Sequence, residues 1–201
     1  MPVEPPRRDP VDRAVALVRL FCTPEEFGGI RGVQAVDVPQ PARQLLDHRS
    51  HMTVAMERFY GGPVGLRVVA RAVDEDAAEG AAGQKAAGQG AAWYAREILL
   101  ESPPERVVQH GIVRIDLQSV DPRTAREIRD GRRPLGRILI DAGILREVHA
   151  VALVEIAPGP HLAGLFGRET APAAPVYGRV ADILLNGRPA VELLEVVAPQ
   201  A

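Results

Sequence analysis

The stretch Trp93-Tyr94-Ala95-Arg96-Glu97-Ile98-Leu99-Leu100 holds the decisive pattern of this chain. Its aromatic and apolar content reads as a strand, in which alternate side chains face opposite sides. Arg96 then shares a face with Tyr94, Ile98 and Leu100. An arginine stays charged in proteins, and an unpaired buried charge is prohibitively costly. An anion should therefore meet Arg96: a carboxylate of this chain, or a carboxylate of a ligand.

Working outward, strand character recurs at Gly65–Val73, Arg106–Leu117 and Leu145–Ile156. The clearest hairpin is Val176–Leu185, Asn186-Gly187, Arg188–Val197, because Asn-Gly supplies the positive φ values of a type I′ turn. Helical periodicity or end signals mark Val11–Phe21, Pro39–Asp47, Met52–Tyr60, Asp121–Asp130 and Pro134–Ala142. Asp121, Pro122 and Gly131 supply a cap, a first-turn proline and a stop. His161–Gly167 reads as turn-like, and Thr170–Pro175 as a Pro/Ala loop. Helices come first and strands cluster later, without βαβ alternation. That order indicates an α+β fold with one six-stranded antiparallel sheet and helices packed on it. One domain is expected over Val11–Pro199, after a flexible tail Met1–Pro10 and interrupted by a low-complexity loop at Ala77–Ala92.

Composition narrows the function classes. The 201 residues are 46% hydrophobic and 25% charged, with net charge −2 and pI near 6.2. Nothing in that balance points to nucleic acid or an anionic membrane. No apolar run approaches the ~18 residues of a membrane span, and the single cysteine, Cys22, reads as a core residue of a reducing compartment. The chain is expected to be cytoplasmic and monomeric. His48 and His51 lack a third ligand at recognisable spacing, so no zinc site is expected. No phosphate-binding loop and no nucleophile elbow are present. Arg123, Arg126, Arg129, Arg132, Arg133 and Arg137 form a basic cluster that reads as a solvated helix face, balanced by Asp121, Glu127 and Asp130.

On the final strand Glu195 shares a face with Val191, Leu193 and Val197, while Glu192 lies opposite with Ala190, Leu194 and Val196. Parity alone does not choose which acid is buried. From the residues alone, an internal Arg96–Glu195 ion pair is the simpler account of both charges.

Several short motifs occur in a telling order: His51-Met52-Thr53, the arginine strand, Pro134-Leu135-Gly136-Arg137, Ala163-Gly164-Leu165-Phe166-Gly167-Arg168, Asn186-Gly187-Arg188-Pro189, and Glu195-Val196-Val197-Ala198-Pro199. Over roughly Leu45–Pro199 this series resembles the chorismate pyruvate-lyase family, whose members convert chorismate to 4-hydroxybenzoate and pyruvate. The resemblance implies a six-stranded antiparallel sheet and a carbon–oxygen lyase that needs no metal or organic cofactor. It implies that Arg96 holds the ring carboxylate and that Met52 and Leu135 contribute backbone N–H groups beside it. It also places Glu195 against the ring hydroxyl, with Glu192 as the possible stand-in. Catalysis is then assigned to Arg96 and Glu195, and the product's destination (quinone, as in ubiquinone biosynthesis, glycolipid or pigment) is not encoded. The chain departs from the family at Gly111, where a basic residue is usual, with Arg114 nearby. The alternative is a non-catalytic module of the same fold that binds a small aromatic acid, as in bacterial transcription regulators. No helix-turn-helix pattern is visible before Leu45, and retention of both Arg96 and Glu195 favours the enzyme, since an anion sensor requires the arginine alone.

Overall fold

A computed structural model describes residues 9–48, 50–73, 93–167 and 174–199. The expected tail up to Arg8, the Ala77–Ala92 loop, Arg168 and Thr170–Ala173 lie outside the described residues. Among those described, seven strands form one antiparallel sheet: β1 (Gly28–Val33), β2 (Gly65–Val73), β3 (Trp93–Ser102), β4 (Arg106–Asp116), β5 (Arg146–Pro158), β6 (Val176–Leu185) and β7 (Arg188–Val197). Their order is β1-β5-β6-β7-β4-β3-β2.

The extra strand corrects the expected count of six. β1 reads Gly28-Gly29-Ile30-Arg31-Gly32-Val33, and its three glycines erase the apolar alternation that marks the other strands. It forms because β5 has a second edge, opposite β6, which takes β1 from Gly28↔Pro158 to Val33↔Leu153. Close approach explains one glycine: at Gly28, φ is 129° and a β-carbon would lie 2.1 Å from the Ala157 carbonyl oxygen.

Helix ends follow their local chemistry. Asp9 caps α1 (Pro10–Val18) by accepting from the Val11 N–H at 2.8 Å. Thr23 and Glu26 form a capping box on α2 (Pro24–Phe27). After α3 (Ala42–Leu46) comes α4 (Met52–Tyr60), which stops at Gly61 with φ 72°. In α5 (Pro122–Asp130) Asp121 accepts from Arg123 and Thr124, and Gly131 ends the helix at φ 68°. Next is α6 (Leu135–Asp141). The expected turn at His161–Gly167 is instead mostly helix, α7 (Pro160–Leu165), a segment too short to display a period. In the β6–β7 hairpin, Asn186 and Gly187 take φ of 50° and 77°, as a type I′ turn demands.

Helices cover both faces. On one, α1, α2 and α7 pack through Leu17, Phe27 and Leu162 against Ile112, Val154, Val180 and Leu194. On the other, α5 and α6 meet Tyr94, Ile115, Ile183 and Leu193, while α3 and α4 meet Leu100, Val108 and Val197. Two arginines of the basic cluster are paired: Arg133 bonds Glu127 and Asp141, and Arg137 bonds Glu57. No helix among the described residues is long and apolar enough to cross a membrane.

Candidate functional site

Between the sheet and the first turns of α4 and α6 lies a cavity of about 60 Å³. At about 10–15 Å³ per water, that is room for roughly four to six waters, the space of a small ligand. Its floor is built by cross-strand neighbours. One row runs Ile98↔Gly111↔Glu195↔Arg179 and the next Arg96↔Val113↔Leu193↔Ala181. Residues paired across strands share a face, so Arg96, Ile98, Gly111, Val113, Leu193, Glu195 and Arg179 all look into one space. Met52, Thr53, Leu135 and Gly136 close it from the helix side. The four residues expected to bind, Met52, Arg96, Leu135 and Glu195, therefore line a single cavity.

Arg96 is 1% exposed. Its Nη1 donates to the Ile128 carbonyl at 3.4 Å and its Nη2 to the Arg133 carbonyl at 3.2 Å, while Nε has no partner. The Ile128 carbonyl lies in the last turn of α5, where the helix dipole is negative and favours a cation, and the Arg133 carbonyl lies in the segment just beyond it. No carboxylate among the described residues forms an ion pair with it. Burial pulls its pKa below the ordinary arginine value; Tyr94 opposes that shift and the nearby Arg71 charge adds to it. Arg71 pairs with Arg96 across β2 and β3 and reaches the Asp130 carbonyl. Two guanidiniums thus converge on one helix end.

The internal Arg96–Glu195 pair does not form. The two residues lie two strands and two register positions apart, which at ~4.8 Å per strand and ~3.4 Å per residue sets their α-carbons about 12 Å apart. Glu195 instead accepts from Arg179 Nε at 2.7 Å. Arg179 is itself 1% exposed, and its remaining donors reach His48 O at 2.7 Å, His48 Nδ1 at 3.1 Å and Ser50 O at 3.1 Å. It thereby ties the segment before α4 to the sheet. Of the two acids left open by parity, Glu195 lines the cavity, whereas Glu192 is half-exposed beside Arg114, 3.4 Å away.

Met52 and Leu135 are the first residues of α4 and α6, and no side chain caps either helix. His51, the residue before Met52, is occupied elsewhere: its ring packs on Gly136, where a β-carbon would come within 2.9 Å, and its Nε2 accepts from Arg146. Burial first, then Arg146, holds the His51 pKa down; burial first, then Arg179, does the same for His48.

Sequence reading missed Arg179. The signal was available, because Val176-Tyr177-Gly178-Arg179-Val180-Ala181 strands an arginine in an apolar strand as β3 does. It also missed Gln109, a buried cavity residue on β4, for which no local pattern exists.

No protein-family model and no curated protein matches the sequence. The structure of PhnF from Mycobacterium smegmatis aligns at 17% identity with a TM-score of 0.54, covering 74% of this chain and 64% of that one. The effector domain of PhnF from Mycobacterium smegmatis aligns at 16% identity with a TM-score of 0.53, covering 74% and 88%. A GntR-family transcriptional regulator from Enterococcus faecalis V583 aligns at 12% identity with a TM-score of 0.46, covering 66% and 92%. This chain spans under two thirds of the whole PhnF chain. The likeness to PhnF and its effector domain overturns the expectation of a carbon–oxygen lyase. The architecture is the chorismate lyase-like fold, shared with the effector domain of PhnF.

Proposed function

We propose that this chain is a non-catalytic ligand-binding module whose cavity takes a small aromatic acid, with the acid's carboxylate seated on Arg96. The observation that carries this reading is the state of Arg96: fully buried, lining a cavity, bonded to two backbone carbonyls, and paired with no carboxylate among the described residues. A carboxylate there gains charge-assisted hydrogen bonds, and a guanidinium can offer it two at once. The free N–H groups at the start of α4 favour the same charge. The walls suit an apolar body, for Ile98, Val113, Leu135, Val148, Ile183 and Leu193 all contribute. Arg179 and Glu195 neutralise each other at the far end, so the net positive character of the pocket belongs to the Arg96 end. By analogy with the effector domain of PhnF, occupancy would be read by a partner domain.

The test is a thermal-shift panel of small aromatic acids set against their neutral amides. Benzoate-type acids should raise the melting temperature and the amides should not. Equal shifts from acids and amides would remove the role of Arg96 as anchor.

A further inference from the structure

We infer that Gln109 reads the ligand's substituent: its amide oxygen accepts a hydrogen bond from a hydroxyl or amino group on the bound acid. The inference rests on the proposal that the cavity holds an aromatic acid, and it adds a second recognition point that the resemblance did not supply.

Gln109 is 1% exposed, lines the cavity, and its Oε1 has no hydrogen-bond partner. Its cross-strand neighbours, Leu100 and Val197, are apolar and offer no donor. The amide nitrogen lies over Gly111, 3.3 Å from where a β-carbon would stand. The side chain therefore sits beside the row that carries Glu195, one strand from it and away from Arg96. A buried carbonyl without a donor carries the desolvation penalty of that group uncompensated. Native proteins seldom retain such a group without use. A ligand donor removes that cost; an analogue without the donor leaves it in place, which is how a polar site rejects the analogue.

Glu195 is the competing acceptor. One of its oxygens is held by Arg179, and the ion pair has already satisfied much of its charge. Gln109 has no such partner at its oxygen. Two buried unpartnered atoms belong to residues that line this cavity, Arg96 Nε and Gln109 Oε1, and together they fit a ligand that carries an anion at one end and a donor toward the other.

The experiment is calorimetric titration of the full chain with benzoate and its three monohydroxy isomers, using wild type, Gln109→Met and Glu195→Gln. In wild type at least one hydroxy isomer should bind about ten- to a hundredfold tighter than benzoate. Gln109→Met should erase that advantage and leave benzoate affinity within about threefold, while Glu195→Gln should retain it. Gln109→Asn, which keeps the amide but withdraws it by one methylene, should give the same loss and serves if the Met variant does not fold. An advantage that survives both Gln109 variants, or that vanishes in Glu195→Gln alone, overturns the inference, as does its absence from wild type. If wild type binds none of the four acids, the aromatic-acid reading itself is wrong and the role of Gln109 falls with it.

Discussion

Two buried arginines share this cavity, and replacing each by methionine should move stability in opposite directions. Arg96→Met removes a charge that no carboxylate among the described residues neutralises. The penalty for holding such an ion out of water is several kcal/mol. Against it stand two hydrogen bonds of 3.2 and 3.4 Å, long enough to fall below the ~1.5–3 kcal/mol of good bonds to charged groups. The Ile128 carbonyl keeps a donor from the Gly131 N–H at 3.2 Å, so mainly the Arg133 carbonyl is deprived. The balance favours the variant by about 1–3 kcal/mol, which for a chain of this size is a melting-temperature rise of roughly 2–10 °C. Arg179→Met does the reverse. It abandons Glu195 in the cavity and releases His48 O and Ser50 O, and breaking one side of a buried pair costs about 3–5 kcal/mol. Urea unfolding of both variants, in a buffer free of carboxylate and phosphate, measures each difference. If Arg96→Met loses more than about 1 kcal/mol, Arg96 is a strut for the end of α5, and the claim that it waits for a ligand anion is refuted.

Stability should also depend on pH. His48, His51 and His110 all have pKa values held down, with burial the leading cause. The folded state keeps them neutral below the pH at which the unfolded chain begins to protonate them. Stability is therefore fully present above about pH 6.5 and should fall as pH drops from there through the folded values, by up to about 1.4 kcal/mol per pH unit for each histidine. Glu97 adds a later loss. Burial alone would raise its pKa, but hydrogen bonds from His110 at 2.8 Å and His161 at 2.7 Å outweigh it and hold the value low. Its contribution is present above the unfolded glutamate value and is lost as pH falls through the lowered one. Urea midpoints that stay level from pH 7.5 to 5 would contradict this. Gly111→Ala should change stability by less than about 1 kcal/mol, since the contacts at 3.2 and 3.3 Å are side-chain atoms of Ile98 and Gln109. It should still weaken aromatic-acid binding at least tenfold by calorimetry, because it raises the cavity floor. Gly187→Ala places a side chain at φ 77° with open space around it, so denaturation should show a loss of about 1–2 kcal/mol from backbone strain alone.

Much of the frame was legible because strand parity is local. Alternation in Trp93–Leu100 correctly put Arg96 on an apolar face, and parity in β7 put Glu195 with Leu193 and Val197. Asn186-Gly187 and Asp121-Pro122 declared a turn and a helix start from chemistry confined to adjacent residues. β1 was missed because glycines carry no alternation; what makes that segment a strand is the edge of β5, more than a hundred residues away. The pairing of charges was illegible for the same reason. Arg179 and Glu195 face each other within the β6–β7 hairpin, but a register shift between Ile183 and Leu184 sets that pairing, while the separation of Arg96 from Glu195 follows only once β7, β4 and β3 are aligned. The lyase expectation failed at this point. Motif order tracks the shared frame, and the Arg179–Glu195 pair lay outside the motifs.

The most direct measurement is a crystal structure of the protein with 4-hydroxybenzoate bound. The ligand should lie on Gly111, between Ile98 and Leu193, with its carboxylate oxygens about 2.7–2.9 Å from the Arg96 guanidinium and no bond to Arg179. A carboxylate paired with Arg179, with Glu195 displaced, or a ligand found outside the cavity, would contradict the account.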